Sequence, residues 1–214
     1  VIIQFNHIIP EPLKELITHE KTDIWNQNLE LKPKEKIIVE AHSGKGKSTF
    51  LNILFGIRKD FEGDLYFNQE QVSNNPEFKW DTYRKTKVSM VHQGLELFEA
   101  FSAWQNVILN NRITGFKSEE DIYAMFKELD IFSLKDRKCQ ILSFGQKQRV
   151  AIIRALCQPF NWLLLDEPFS HLDSALSKTA LELILRECSA QNAGVLLTSL
   201  DPVDSNLFTR KLIL

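Results

Sequence analysis

Cysteine is scarce in this chain of 214 residues: Cys139, Cys157 and Cys188 are the only three. They lie far apart, are odd in number and lack a C-x-x-C spacing, which argues against a disulfide framework and against a zinc site. A reduced compartment fits that usage. The histidines His7, His19, His42, His92 and His171 are equally scattered and read as surface or loop residues rather than metal ligands. No run approaches the ~20 consecutive apolar residues that span a bilayer as a helix, and the opening Val1-Ile2-Ile3-Gln4-Phe5-Asn6 lacks the layout of a secretory signal. An excess of one charge is also missing. The formal net charge is -2, so no global basic field draws in nucleic acid or acidic lipid. Internal repeats, low-complexity tracts and Pro/Gly linkers are absent too, and a single domain over 1–214 is expected.

What is present is the composition of a globular protein, 43% hydrophobic and 25% charged, long enough to bury a sizeable core. Up to about residue 93, short strand candidates stand between turn residues: Asn28 to Leu31, Lys36 to Glu40, Gly63 to Phe67 and Lys87 to Val91. From about 94 to 146 the pattern turns helical. Ser118 and Asp121 form a capping-box-like start there, and Ile122, Met125, Phe126 and Leu129 follow at helical spacing as a core stripe. Over 147–214 strands are expected at Asn161 to Asp166 and Gly194 to Ser199, around a helix opening near Ser174. Such alternation predicts an α/β fold with a parallel sheet and helices on its faces.

Ala41-His42-Ser43-Gly44-Lys45-Gly46-Lys47-Ser48-Thr49 lies between the β-branched run Lys36 to Glu40 and a helix-compatible segment that runs to Phe55 and stops at Gly56. Strand, small-residue loop and helix in that order make a phosphate cradle. Backbone N–H groups turn toward one point and the helix dipole favours negative charge. Gly44 and Gly46 supply the freedom, Lys47 a charge for the β- and γ-phosphates, and Ser48 a hydroxyl for Mg²⁺. Ala41 stands where the pattern G-x-x-x-x-G-K-[ST] has glycine, the smallest departure available.

Trp162-Leu163-Leu164-Leu165 reads as a buried strand ending in Asp166-Glu167-Pro168. Carboxylates at the tip of a buried strand call for a positive partner. Mg²⁺ for Asp166 and an attacking water for Glu167 meet that need, and the two half-sites together describe a P-loop nucleoside triphosphatase.

Leu142-Ser143-Phe144-Gly145-Gln146-Lys147-Gln148-Arg149 lies between those halves, with Ser143 and Gln146 in capping-box positions for a helix through Val150, Ile153 and Leu156. Here the chain closely resembles the ATP-binding cassette (ABC) ATPases, whose signature is L-S-G-G-Q. Gln93 matches the glutamine that in the family touches Mg²⁺ and water, and Ser170-His171-Leu172-Asp173 resembles the loop that pairs across the dimer. The resemblance covers nearly the whole chain. It implies a RecA-like core with an antiparallel β subdomain (within 1–93), an inserted helical subdomain (94–146) and the remainder of the core (147–214). It also implies that Ser143, Gly145 and Gln146 face the γ-phosphate held by a second copy. Glu167 is then the catalytic carboxylate, the 41–49 loop with Gln93 binds ATP, and Ser48, Gln93 and Asp166 serve Mg²⁺.

The sequence departs from the family at Phe144, where a glycine is usual, and at Leu200, which occupies the place of the switch histidine and cannot hydrogen-bond the γ-phosphate. Phe5 and Trp25 are the only aromatics ahead of the loop, and neither matches the adenine-stacking position. The resemblance implies a cytoplasmic ATPase subunit on the inner face of the cell membrane. It would be a homodimer that closes on ATP and drives an integral membrane permease, with no nucleic acid involved. Ala41, Phe144 and Leu200 motivate the alternative, an ABC module that binds ATP for regulation or assembly with little turnover, while the intact Glu167 argues against it. A soluble DNA-repair or translation ABC protein is a third reading, disfavoured because this chain has neither a second cassette nor long coiled coils.

Overall fold

A computed structural model describes residues 1–17, 22–40, 44–199 and 205–214. The strands are β1 (Ile3–Pro10), β2 (Asn28–Leu31), β3 (Lys36–Glu40), β4 (Phe61–Phe67), β5 (Glu70–Gln71), β6 (Val88–Val91), β7 (Trp162–Asp166), β8 (Gly194–Ser199) and β9 (Arg210–Ile213). The helices are α1 (Lys14–Ile17), α2 (Lys47–Leu54), α3 (Trp80–Thr86), α4 (Ala103–Thr114), α5 (Glu119–Glu128), α6 (Phe144–Leu156) and α7 (Ser174–Ala190). Among the described residues, β2-β1-β4-β5 form an antiparallel sheet and β6-β7-β8-β3-β9 a parallel one.

The unbroken apolar runs of the parallel strands have a direct cause, because each strand feeds two cores. Trp162 and Leu164 of β7, Ile37 and Val39 of β3 and Leu196 of β8 join one core with Phe50, Leu51, Ile53 and Leu54 of α2 and residues of β1, β2 and β4. Leu163 and Leu165, Ile38, Val195 and Leu197 point the other way, into a core completed by α4, α5, α6 and α7. A period-2 strand buried on both faces has no polar positions to alternate. α2 is therefore enclosed between the two sheets, and its N-terminus is held at the carboxyl ends of the parallel strands.

The expected strands at 28–31, 36–40 and 194–199 coincide with the structure, while those at 63–67, 87–91 and 161–166 become 61–67, 88–91 and 162–166. The capping box at Ser118 is present: its Oγ accepts from the Asp121 N–H at 3.1 Å, and Asp121 Oδ2 accepts from the Ser118 N–H at 3.4 Å. Ile122, Met125, Phe126 and Leu129 are buried, as a core stripe requires. β1 was not anticipated. Ile3 and Phe5 alternate correctly, but His7 takes φ 51° and the register with β4 shifts between Asn6 and Ile9, so burial resumes out of step at Ile8 and Pro10. α3 also falls in a stretch read as mainly β, where Trp80 and Tyr83 pack around Phe67 and Phe78.

Parallel pairing brings Glu40 beside Ser199 and Asp166 beside Thr198, so the carboxyl ends of β3, β7 and β8 lie together. In parallel α/β sheets this edge is where ligands bind.

Candidate functional site

At that edge Gly44, Gly46, Lys47, Ser48, Thr49, Gln93 and Glu167 line one cavity of about 220 Å³, together with Leu13. Gly46 caps α2 with φ 97°, and no side chain caps the helix in its place. A methyl group at Gly46 would stand 2.6 Å from Leu13 Cδ1 and 3.3 Å from the Trp25 ring, so the loop needs glycine there for space as well as for backbone angle. With no acidic residue in its first turn, the start of α2 presents N–H groups and the positive end of the dipole to the cavity. Lys45 faces a small adjoining recess with Leu13 and Trp25. Ala41, His42, Ser43 and Leu200 lie outside the described residues.

Lys47 is buried and its Nζ lies 3.5 Å from Glu167 Oε1. Glu167 holds a left-handed backbone (φ 49°) at the end of β7, where only a network of hydrogen bonds keeps a non-glycine residue. Its N–H donates to the Thr198 carbonyl at 3.1 Å, its carbonyl accepts from Gln148 Nε2 at 3.0 Å, and its Oε2 accepts from Gln93 Nε2 at 3.4 Å. Asp166, the preceding residue, is buried and its Oδ1 accepts from Thr198 Oγ1 at 2.9 Å. Beside Gln93, the half-buried His92 ring meets Phe55 edge-on at 5.3 Å. Burial pushes its pKa below the ordinary imidazole value, against the opposing pull of Glu96.

The oxygen donors lining the cavity are the Ser48 and Thr49 hydroxyls, the Gln93 amide and the Glu167 carboxylate, with the buried Asp166 next to Glu167 at the end of β7; hard oxygen donors of this kind suit magnesium. Among the described residues no group of three or more His, Cys, Asp or Glu could hold a metal.

Ser143, Gly145 and Gln146 do not join this cavity within the chain. They open α6, where the expected capping box is present: Ser143 Oγ accepts from the Gln146 N–H at 3.3 Å and Gln146 Oε1 accepts from the Ser143 N–H at 2.9 Å. The Ser143 hydroxyl proton remains available to donate. Phe5 and Trp25 are both buried against Phe50, so neither offers a face to a base.

Sequence reasoning assigned no role to Gln148, Thr198, Arg154 or Leu13. Thr198 carried a signal, since a lone polar residue in an apolar strand, here fully buried, must meet a polar partner. Gln148 carried less, lying one turn into a helix with polar neighbours. Arg154 donates to the carbonyls of Leu95 and Glu96 at 2.6 and 2.5 Å, and these two residues both have positive φ. Burial lowers its pKa from the ordinary guanidinium value. Leu13 had no signal at all.

A family model described as ABC transporter matches residues 24–170, well over half of the chain. The chain belongs to the ABC transporter family. This ABC chain is 32% identical over 182 residues to the glucose import ATP-binding protein GlcV of Saccharolobus solfataricus, which covers 84% of the chain but 51% of GlcV, so it spans about half of that relative's length. It is 35% identical over 174 residues to the lipoprotein-releasing system ATP-binding protein LolD of Francisella tularensis subsp. holarctica, covering 78% of the chain and 75% of LolD. Its fold is similar to the dimeric post-hydrolysis state of the ATP-binding cassette MJ0796 bound to ADP and Pi, with a TM-score of 0.83, 24% identity, and 99% and 94% of the two chains covered. The α/β architecture with a P-loop core is thus that of an ABC cassette.

Proposed function

We propose that this chain is the ATP-hydrolysing subunit of a membrane transporter, acting as a pair of identical copies that close on two Mg-ATP. The observation that carries this reading is the convergence of Gly46, Lys47, Ser48, Gln93 and Glu167 on one cavity at the carboxyl edge of a parallel sheet. Lys47 and the α2 N-terminus bind the triphosphate, and Ser48, Gln93 and Asp166 hold Mg²⁺, which supplies charge neutralisation at the phosphates when bound. Glu167 Oε1 or Oε2 orients a water for attack on the γ-phosphorus and accepts its proton, with Gln93 holding the carboxylate in place. ADP is the leaving group. Ser143, Gly145 and Gln146, remote from the cavity in one copy, complete the partner's site, which explains why the α6 N-terminus stands apart. The subdivision at about residues 93 and 146 belongs to the same reading.

No helix among the described residues is long and apolar enough to cross a membrane. On this reading the transport path lies in an integral membrane permease, with this chain on its cytoplasmic face. The test is Mg-ATP binding, phosphate release and light scattering on the purified chain and on Glu167→Gln. Release that vanishes in the variant, with ATP-dependent doubling of mass, supports the reading. Doubling without release in the unmodified chain identifies the low-turnover module instead, and failure to bind Mg-ATP overturns both.

A further inference from the structure

Phe144 stands where the family signature has glycine, and its ring is in contact with another loop. The ring centroid lies 4.2 Å from that of His171, at an interplanar angle of 59°. Both residues are exposed, Phe144 by 44%. Two further contacts join the same loops. A methyl group at Gly145 would stand 2.5 Å from the His171 carbonyl oxygen, so the backbones pack directly where the side chain is missing. Gln148 Oε1 accepts from the His171 N–H at 3.3 Å while Gln148 Nε2 holds the Glu167 carbonyl. The segment from Glu167 to His171 is therefore tied to the first turns of α6 at three points, and the outermost is a pair of rings.

We propose that Phe144 and His171 form a clasp that makes the signature turn and the 167–173 segment one docking body for a second copy of this chain. The inference rests on the paired reading above and adds a residue-specific device to it. In a closed pair the signature turn serves the partner's triphosphate while Glu167 serves its own, so a body containing both links the two sites. Ile141, just ahead of the signature in sequence, is a second exposed apolar residue of this segment, at 63%. The similar cassette MJ0796 is dimeric in its solved structures. An exposed aromatic pair next to a helix N-terminus suits an interface that joins apolar contact with anion binding. Phe144 is thus a positioning residue rather than a tolerated defect.

The test uses the full chain with Glu167→Gln, so that ATP is retained, and measures ATP-dependent self-association by sedimentation. Phe144→Ala and His171→Ala should each weaken association several-fold, with the double variant no weaker than either. That corresponds to a coupling of about 2- to 10-fold, the range for an aromatic pair. The ring-retaining Phe144→Tyr and His171→Phe should restore it, and Phe144→Gly, which returns the family residue, should weaken it. In the ATP-free chain, amide exchange over 168–173 should rise in Phe144→Ala and not in Phe144→Tyr. Additive losses, or association and exchange that do not move, overturn the clasp. If no ATP-dependent pair forms in any variant, the transporter reading fails together with the docking role, while unchanged exchange in a chain that still pairs rejects the clasp alone.

Discussion

The Lys47 ammonium lies 3.5 Å from Glu167 Oε1, so the phosphate-binding cation and the carboxylate proposed as base are ion-paired across the cavity. On the proposed reading, triphosphate competes with Glu167 for that ammonium. Glu167→Gln should therefore raise ATP affinity several-fold while cutting turnover by about 10²- to 10⁴-fold. Lys47→Ala should weaken ATP binding by about 10- to 100-fold, as loss of a charged hydrogen-bond donor predicts. Equilibrium nucleotide binding beside phosphate release separates the two effects; equal affinity in Glu167→Gln and the unmodified chain would mean the ion pair does not oppose ATP.

Gly44 and Gly46 both have positive φ, 82° and 97°, yet their surroundings differ. A methyl at Gly44 meets nothing within 4 Å among the described residues, whereas one at Gly46 meets Leu13 and Trp25. Gly44→Ala should cost about 1–2 kcal/mol of stability from backbone strain alone. Gly46→Ala should cost more and should also lose most ATP binding. Urea unfolding with nucleotide titration on both variants checks the order.

Gln148 is buried and bonds both Glu167 and His171. Gln148→Leu should destabilise the chain by about 1 kcal/mol, because it removes one of the donors to the half-buried Glu167 carbonyl and leaves only Ser170, whose Oγ and N–H donate at 3.3 and 3.5 Å. It should also lower kcat more than it changes KM, since Glu167 loses its anchor. A variant with full turnover would show that the Ser170 hydroxyl and N–H, which also donate to the Glu167 carbonyl, hold the loop without Gln148.

The Tyr83 hydroxyl is buried without a hydrogen-bond partner among the described residues, its ring stacked on Phe67 at 4.4 Å. Burial raises its pKa, so it stays neutral. Tyr83→Phe removes an unsatisfied polar group and keeps the stack, and should stabilise the chain by about 1 kcal/mol, or about 2–4 °C in Tm. Calorimetry decides the sign.

His92 has its pKa lowered from 6.5 in the folded chain. Between the folded and unfolded values the unfolded chain binds more protons, so His92 favours unfolding increasingly as pH falls below about 6.5. Tm should drop between pH 7.5 and 5.5, and His92→Phe should flatten part of that drop. A profile identical in both proteins would remove His92 as a cause.

Most of the architecture could be read from residues 36–49 and 162–168, because a strand buried on both faces is a continuous apolar run and the chemistry follows at its end. The capping boxes at Ser118 and Ser143 were legible for a related reason, as both partners lie within one turn. What stayed hidden depends on distance in the sequence or on a local irregularity. The bulge at His7 masked β1, the partner of Arg154 lies 58 and 59 residues away, and Leu13 borders the cavity only because the chain folds back over Gly46. The ring contact of Phe144 belongs to the same class: the departure from glycine was visible, its partner was not.

Arg154 gives α6 a property beyond packing. The helix is bound at Gln148 to the 167–171 loop and, about 9 Å further along its axis at 1.5 Å per residue, at Arg154 to the two left-handed residues after Gln93. Val150, Ile152, Ile153 and Leu156 of the same helix are buried in the core, so α6 joins these two loops as one packed element.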